Sequence, residues 1–189
     1  MSEKKRYYAM SDYILIAMTV AMSIAVKAVV NPLAQVITGP LFIPGGVAAG
    51  GFYMLFIVIP PAITGKRGSA LLTSILQALL VILLGSPGSH GIASLFTYTM
   101  PGLAVEAVWL LSGKHAGGPV CCFAGGIAAN VAGSYAVNLL LFHLPLVPLL
   151  LSLCVAALAG GLGGWMAYGL SVRLRRARLR RSDSQGGAP

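Results

Sequence analysis

Acidic residues are nearly missing from this chain. Of its 189 residues only four are Asp or Glu, against 13 Lys and Arg. The four are Glu3, Asp12, Glu106 and Asp183, and Glu106 alone lies well inside an apolar stretch. An enzyme built on paired carboxylates, an EF-hand and a carboxylate-rich metal cage all need more acid than this. Charged residues make up 9% of the chain, where a soluble domain carries about 25%. Catalytic and nucleotide-binding motifs are missing too. No G-x-x-x-x-G-K-[ST] occurs, because Pro60 stands where Gly65-Lys66 would need the first glycine. There is no G-x-S-x-G, no HExxH and no CxxC. The three cysteines, Cys121, Cys122 and Cys154, sit in apolar surroundings and read as small buried packing residues. No enzyme activity, cofactor or metal site is expected.

What the chain has in quantity is apolar surface. Hydrophobic residues reach 57% and the mean hydropathy is +0.86, which marks an integral membrane protein. The expected fold is all-α, since hydrocarbon leaves no water to satisfy backbone groups and nothing alternates as barrel strands would. Windows of about 20 residues give six spans, over 12–30, 43–64, 68–85, 92–112, 118–142 and 146–171. Asn31-Pro32, Gly65-Lys66-Arg67-Gly68, Gly85-Ser86-Pro87-Gly88, Gly113-Lys114-His115 and His143-Leu144-Pro145 punctuate them. Residues 1–189 form one membrane domain ending in a basic tail, 172–189. No small-residue cleavage signature follows the first span, so it is expected to be retained.

Orientation follows from the cations. Lys4, Lys5 and Arg6 precede the first span, and Lys66 and Arg67 separate the second from the third. Lys114 separates the fourth and fifth, and Arg173, Arg175, Arg176, Arg178, Arg180 and Arg181 follow the last. All lie on one side, which places both termini in the cytoplasm of a multi-pass cell-membrane protein. The basic tail suits anionic lipid rather than nucleic acid.

Small residues recur at four-residue intervals in Ala17, Ala21 and Ala25, in Ala124, Ala128, Ala132 and Ala136, and in Ala156, Gly160 and Gly164. Such stripes let membrane helices approach closely. Gly46 and Gly50 do the same in the second span. Polar residues at membrane depth are the candidates for function. At about 1.5 Å of rise per residue, Glu106 and Asn130 fall roughly 21 and 18 Å from the outer ends of their spans. By the same rise, Gln77 and Tyr98 lie about 9–11 Å deep, and Lys27 and Asn138 about 5–6 Å. Asn130, Ser134 and Asn138 share one helix face, as do Tyr98, Gly102 and Glu106, and Pro101 should loosen its helix and free a carbonyl. Glu106 is read as a contact to a ligand or ion, against a protonated structural acid. Asn130 and Asn138 divide between cavity and interhelical bonding. Lys27 is expected to snorkel outward, His90 to be a loop or lid residue, and Trp109, Trp165 and Tyr168 to form an aromatic belt.

Six spans, cytoplasmic termini, small size and no ATPase motif resemble the substrate-binding S component of an energy-coupling factor (ECF) vitamin transporter. Ala17-xxx-Ala21-xxx-Ala25 is similar to the stripe by which such components dock on their coupling subunit. Gly68-Ser69-Ala70-Leu71-Leu72, Leu83-Leu84-Gly85-Ser86-Pro87, Pro101-Gly102 and Val105-Glu106 resemble the branch assigned to thiamine or its hydroxymethylpyrimidine precursor. The sequence departs from that branch after Ser86-Pro87, where Ser89-His90-Gly91 replaces an aromatic. The resemblance implies a high-affinity vitamin-binding subunit working with a transmembrane coupling subunit and two cytoplasmic ATPases. It implies Glu106 as a substrate contact, with Tyr98 or Tyr53 stacking on the ring, and the polar residues Asn130, His90, Asn138 and Gln77 complete the expected set of substrate contacts. The alternatives are a self-contained secondary transporter with Glu106 as its ion-coupled acid, and a membrane scaffold.

Overall fold

The computed structural model describes residues 8–38, 45–85, 91–113 and 116–186, with the backbone alone from 178 onward. They form helices α1 (Met10–Thr38), α2 (Gly45–Ala48), α3 (Gly50–Thr64), α4 (Ser69–Leu84), α5 (Ala93–Ser112), α6 (Pro119–Val137) and α7 (Leu146–Gly186). A π-helical turn over Asn138–Phe142 extends α6. Among the described residues five helical stretches are long and apolar enough to cross a membrane, while α4 is apolar but shorter. Its 16 residues span about 24 Å, short of a hydrocarbon core of about 30 Å.

α3 is the centre of the bundle. Val58, Ile59 and Ile57 are almost wholly buried, as are Leu55, Phe56 and Ala62, and a helix apolar all round belongs inside. Around it α1, α4, α5, α6 and α7 pack in turn, with α7 closing back on α3. The outward faces carry Met18, Val29, Leu83, Leu111, Leu158 and Leu162, all exposed, a surface that suits lipid and not water.

Close helix crossings are set by glycine. A Cβ on Gly126 of α6 would lie 2.2 Å from the Gly160 carbonyl of α7, and one on Gly160 would lie 2.4 Å from the Gly126 carbonyl. No larger residue fits without separating the helices. The stripe Ala156, Gly160, Gly164 is buried as expected. On α6, however, the buried face is Cys122, Gly126, Ala129, Asn130 and Gly133, and Ala124, Ala128 and Ala132 are half-buried at its flank. On α1 the stripe Ala17, Ala21, Ala25 is exposed.

Several expectations are corrected. α1 does not end at Asn31-Pro32 but runs through it to Thr38. Proline removes one ladder bond, which a membrane helix tolerates when neighbours satisfy the freed groups. α7 continues as helix into the basic tail. Trp109 is buried against Gly125 of α6 rather than placed in an interfacial belt, and Cys154 is exposed, unlike Cys121 and Cys122.

The end of the bundle that carries Lys66, Arg67 and the α7 arginines is tied by the two inner acids. Asp12 pairs with Lys66 at 2.6 Å and accepts the Ala9 N–H at 3.0 Å. Tyr8 donates to the Arg67 carbonyl at 2.7 Å. Burial, then the Glu106 carboxylate, Tyr13 and Asp12, raise the Tyr8 hydroxyl above its usual pKa. Glu106 Oε1 accepts the Ala70 N–H at 2.9 Å, satisfying one of the orphan donors in the first turn of α4 where the helix dipole favours an anion. The acid therefore sits at the basic end of α4, as far from the outer end of its own helix as the count along the span placed it.

Gly126→Val should push α6 and α7 apart and cost about 1–3 kcal/mol, seen as a lower Tm of the purified protein in detergent. Replacing Glu106 by Leu should cost about 0.5–2 kcal/mol of stability as a lost cap, and the affinity for any copurifying ligand should stay within about twofold, since the carboxylate is remote from the cavity described next.

Candidate functional site: a polar cavity at the far end of the bundle

Buried polar side chains collect where α1, α3, α4, α5 and α6 meet, toward the end opposite the basic residues. They enclose a cavity of about 150 Å³. α1 contributes Lys27 and Asn31, one turn apart. α3 contributes Tyr53, Met54 and Ile57, and α4 contributes Gln77. Thr97, Tyr98 and Pro101 come from α5, and Asn130, Gly133, Ser134, Val137 and Asn138 from α6 and its extension. Phe142, Leu144, Leu149 and Ser152 close the side toward α7. Among these described residues Lys27 is the only basic side chain, and none is acidic.

Each polar residue has a local reason to be there. Lys27 is 5% exposed, so it does not snorkel. Its ammonium stands 4.1 Å from the centroid of the Tyr98 ring and 5.3 Å from that of Tyr53, and both rings offer it their negative faces. It also reaches Gln77 Oε1 at 3.4 Å. The Tyr53 hydroxyl donates to Asn31 Oδ1, which fixes the ring in place.

Asn130 ties three elements. Its Nδ2 donates to the Val47 carbonyl at 3.1 Å and to the Ala156 carbonyl at 2.8 Å. Val47 belongs to the one-turn helix α2, whose last carbonyls have no continuing ladder. Gly50 makes room, since a Cβ there would overlap the Asn130 amide. Asn138 Oδ1 accepts the Leu144 N–H at 2.9 Å, and the Asn138 carbonyl accepts the His143 N–H at 2.9 Å. That side chain holds the sharp turn between α6 and α7, where His143 has φ 47°. π-helical turns of this kind occur often beside functional sites.

Two polar atoms on the wall are buried without a hydrogen-bond partner, Gln77 Nε2 and Thr97 Oγ1. Buried donors are normally satisfied, so both are open to a guest. Pro101 has no N–H to offer the Thr97 carbonyl one turn earlier, which adds an acceptor to the same stretch of α5.

Of the residues expected to contact substrate, the structure brings Asn130, Tyr98, Asn138 and Gln77 to this one cavity. It does not bring Glu106, whose carboxylate is held by Ala70. At Gly102, on the Tyr98 side of α5, Ser74 lies where a Cβ would need to be. His90 lies outside the described residues. Lys27 and Asn31 were not among the expected contacts. Their spacing of four with Ser23, all buried on α1, was the available signal.

Comparison with solved structures finds one titled "Crystal structure of an S-component of ECF transporter". It superposes with a TM-score of 0.71 over 97% of this chain and 100% of that one, at 20% sequence identity. At that identity the likeness establishes the fold. No curated protein matches the chain. The model of the family described as "ABC-type cobalt transport system, permease component" matches residues 11–132. That stretch is well over half of the 189 residues and contains every helix from α1 to most of α6, so the chain belongs to this family of transport-system membrane components.

Proposed function

We propose that the protein is the substrate-capturing S component of an ECF-type importer, taking a vitamin or vitamin precursor from outside the cell. The observation that carries this reading is a mostly apolar cavity with a few converging polar groups, the general form of a small-molecule site, inside a bundle with the S-component fold. Family membership in transport-system membrane components supports it. The chain carries no phosphate-binding loop, so energy would come from two ATPases acting through a transmembrane coupling subunit. In this reading the bundle has six spans, α4 being the short one, and both termini with the basic end face the cytoplasm.

The exposed stripe Ala17, Ala21, Ala25 supplies the docking surface. Methyl-sized side chains let α1 lie close against a partner helix and slide on it. Gln77, Tyr98, Asn130 and Asn138 contact substrate, and His90, outside the described residues, is a further contact in this reading. Of the two substrates suggested by the sequence, the hydroxymethylpyrimidine suits the cavity better than thiamine. A cavity of about this volume holds one benzene-sized ring in a well-studied apolar case, and thiamine carries two rings and a positive charge. Cobalt, named in the family's description, finds no fitting donors here: among the described residues no cluster of three His, Cys, Asp or Glu occurs. An ion-coupled carrier would need Glu106 in the substrate path, and Glu106 caps α4 instead.

Native mass spectrometry of protein purified from rich medium should reveal a copurifying small molecule, and a spectrum of apoprotein alone after gentle extraction counts against the reading. With partners coexpressed, Ala21→Trp should abolish uptake of that molecule while its binding to the isolated subunit persists. Uptake at the wild-type rate would remove α1 as the docking helix.

A further inference from the structure

α1 is joined to the bundle differently from its neighbours. Glycine sets the crossings of α3 with α7, of α4 with α5, and of α6 with α5 and α7, where an added Cβ would overlap the facing helix. α1 has no glycine, and among the described glycines none has its nearest neighbours on α1. Helices that meet this closely part only by losing many contacts at once. Helices α3, α4, α5, α6 and α7 therefore form a fixed body, and α1 is its loosest member.

The seam between α1 and α4 carries a polar stripe on each side. On α1, Thr19, Ser23 and Lys27 recur every fourth residue, as Ser69, Thr73 and Gln77 do on α4, and all six are buried. The stripes meet at the cavity, where Lys27 reaches Gln77. Below that point the hydroxyls are spent within their own stretch of chain. Thr19 donates to the Ile16 carbonyl at 2.9 Å, Thr73 to the Ser69 carbonyl at 2.7 Å and Ser69 to the Lys66 carbonyl at 2.8 Å. Ser23 Oγ is buried without a partner. Parting α1 from α4 breaks none of these bonds, and it uncovers groups that water or a polar guest can use.

At the basic end the seam is fastened by charge. Asp12, with its side chain 5% exposed, pairs with Lys66 at 2.6 Å. The Lys66 ammonium also stands 5.4 Å from the centroid of the Tyr8 ring, and Tyr8 donates to the Arg67 carbonyl. Lys66 and Arg67 form the turn between α3 and α4, flanked by Gly65 at φ 62° and Gly68 at φ 86°. These left-handed glycines keep the turn short, so it moves with the fixed body. The pair therefore straps the loose helix to that body, at the end of the seam away from the cavity.

We propose that the α1–α4 seam is the passage by which a guest leaves the cavity toward the basic end, with the Asp12–Lys66 pair as its latch; this rests on the reading of the cavity as the substrate site. When the pair parts, the inner half of α1 swings outward while Lys27 and Asn31 hold its outer half to Gln77 and Tyr53. The opening begins at Gln77 on the cavity wall and runs past Ser23, Thr73, Thr19 and Ser69, hydroxyl partners for a small polar molecule. Elsewhere the way inward is shut by the glycine crossings and by the apolar core around α3. The exposed stripe Ala17, Ala21, Ala25 lies along the moving part of α1, so a partner helix seated there grips the segment that has to move.

The test labels the full chain carrying Ser23→Cys, in nanodiscs, with a charged methanethiosulfonate reagent and reads each cysteine by peptide mass spectrometry. Cys122, wholly buried on α6, is the internal control. Adding Lys66→Met should speed labelling at position 23 roughly tenfold and leave Cys122 unchanged, while Lys66→Arg should keep the slow rate. Without the Ser23 change, Lys66→Met should speed the release of preloaded hydroxymethylpyrimidine, or of the copurified molecule if that differs, by a similar factor. If Lys66→Met does not fold, Asp12→Asn should give the same two changes. Labelling at position 23 that ignores the loss of the latch, or that rises together with Cys122, overturns the proposal. Faster labelling with release unchanged overturns it too, and in each case a bound guest leaves the transport reading standing. No binding of hydroxymethylpyrimidine together with no copurifying molecule overturns the transport reading, and the passage with it.

Discussion

A lysine ammonium at membrane depth has to be received by the protein, because hydrocarbon offers it nothing. The far half of this bundle is organised around that requirement. Tyr98 and Tyr53 present ring faces to Lys27, Gln77 turns its carbonyl oxygen toward it, and Asn31, one turn along α1, anchors the Tyr53 hydroxyl. Each of these groups comes from a different side of the bundle, so receiving one charge draws α1, α3, α4 and α5 to a common centre. The cavity is the space that remains between them.

The same constraint acts at the other end with a different outcome. There Lys66 finds a true counter-ion in Asp12, and Glu106 finds a backbone donor at the start of α4. Acid and base there are both engaged in closing the bundle. The molecule therefore separates two tasks along its length. Its basic end is knit by paired charges, and its far end gathers Lys27, two tyrosine rings and Gln77 around the cavity.

Much of this was legible in the sequence. Hydropathy located the helices, and depth counting put Gln77, Tyr98, Asn130 and Asn138 among the inward polar residues, where the structure gathers them. Lys27 was not legible, because its assignment depended on where α1 ends. Asn31-Pro32 reads as a stop, and a span that stops there leaves the lysine near an interface. In the structure the helix continues to Thr38 and the lysine is turned into the bundle, against Tyr53, Tyr98 and Gln77. The partner of Glu106 was not legible either: counting depth along one helix says nothing of which neighbouring helix begins beside it, and here that is the Ala70 amide of α4. Tyr53 was visible only as a stacking candidate, since its tie to Asn31 joins residues 22 apart across two helices.

The central claim is that the space beside Lys27 belongs to a small guest molecule. A high-resolution structure of the protein extracted under native conditions tests it most directly. The account predicts density for one ring-sized molecule within hydrogen-bond reach of Lys27 Nζ and Gln77 Nε2, with the Glu106 carboxylate still on Ala70. Side chains collapsed into the chamber, or a guest held by Glu106 instead, would contradict it.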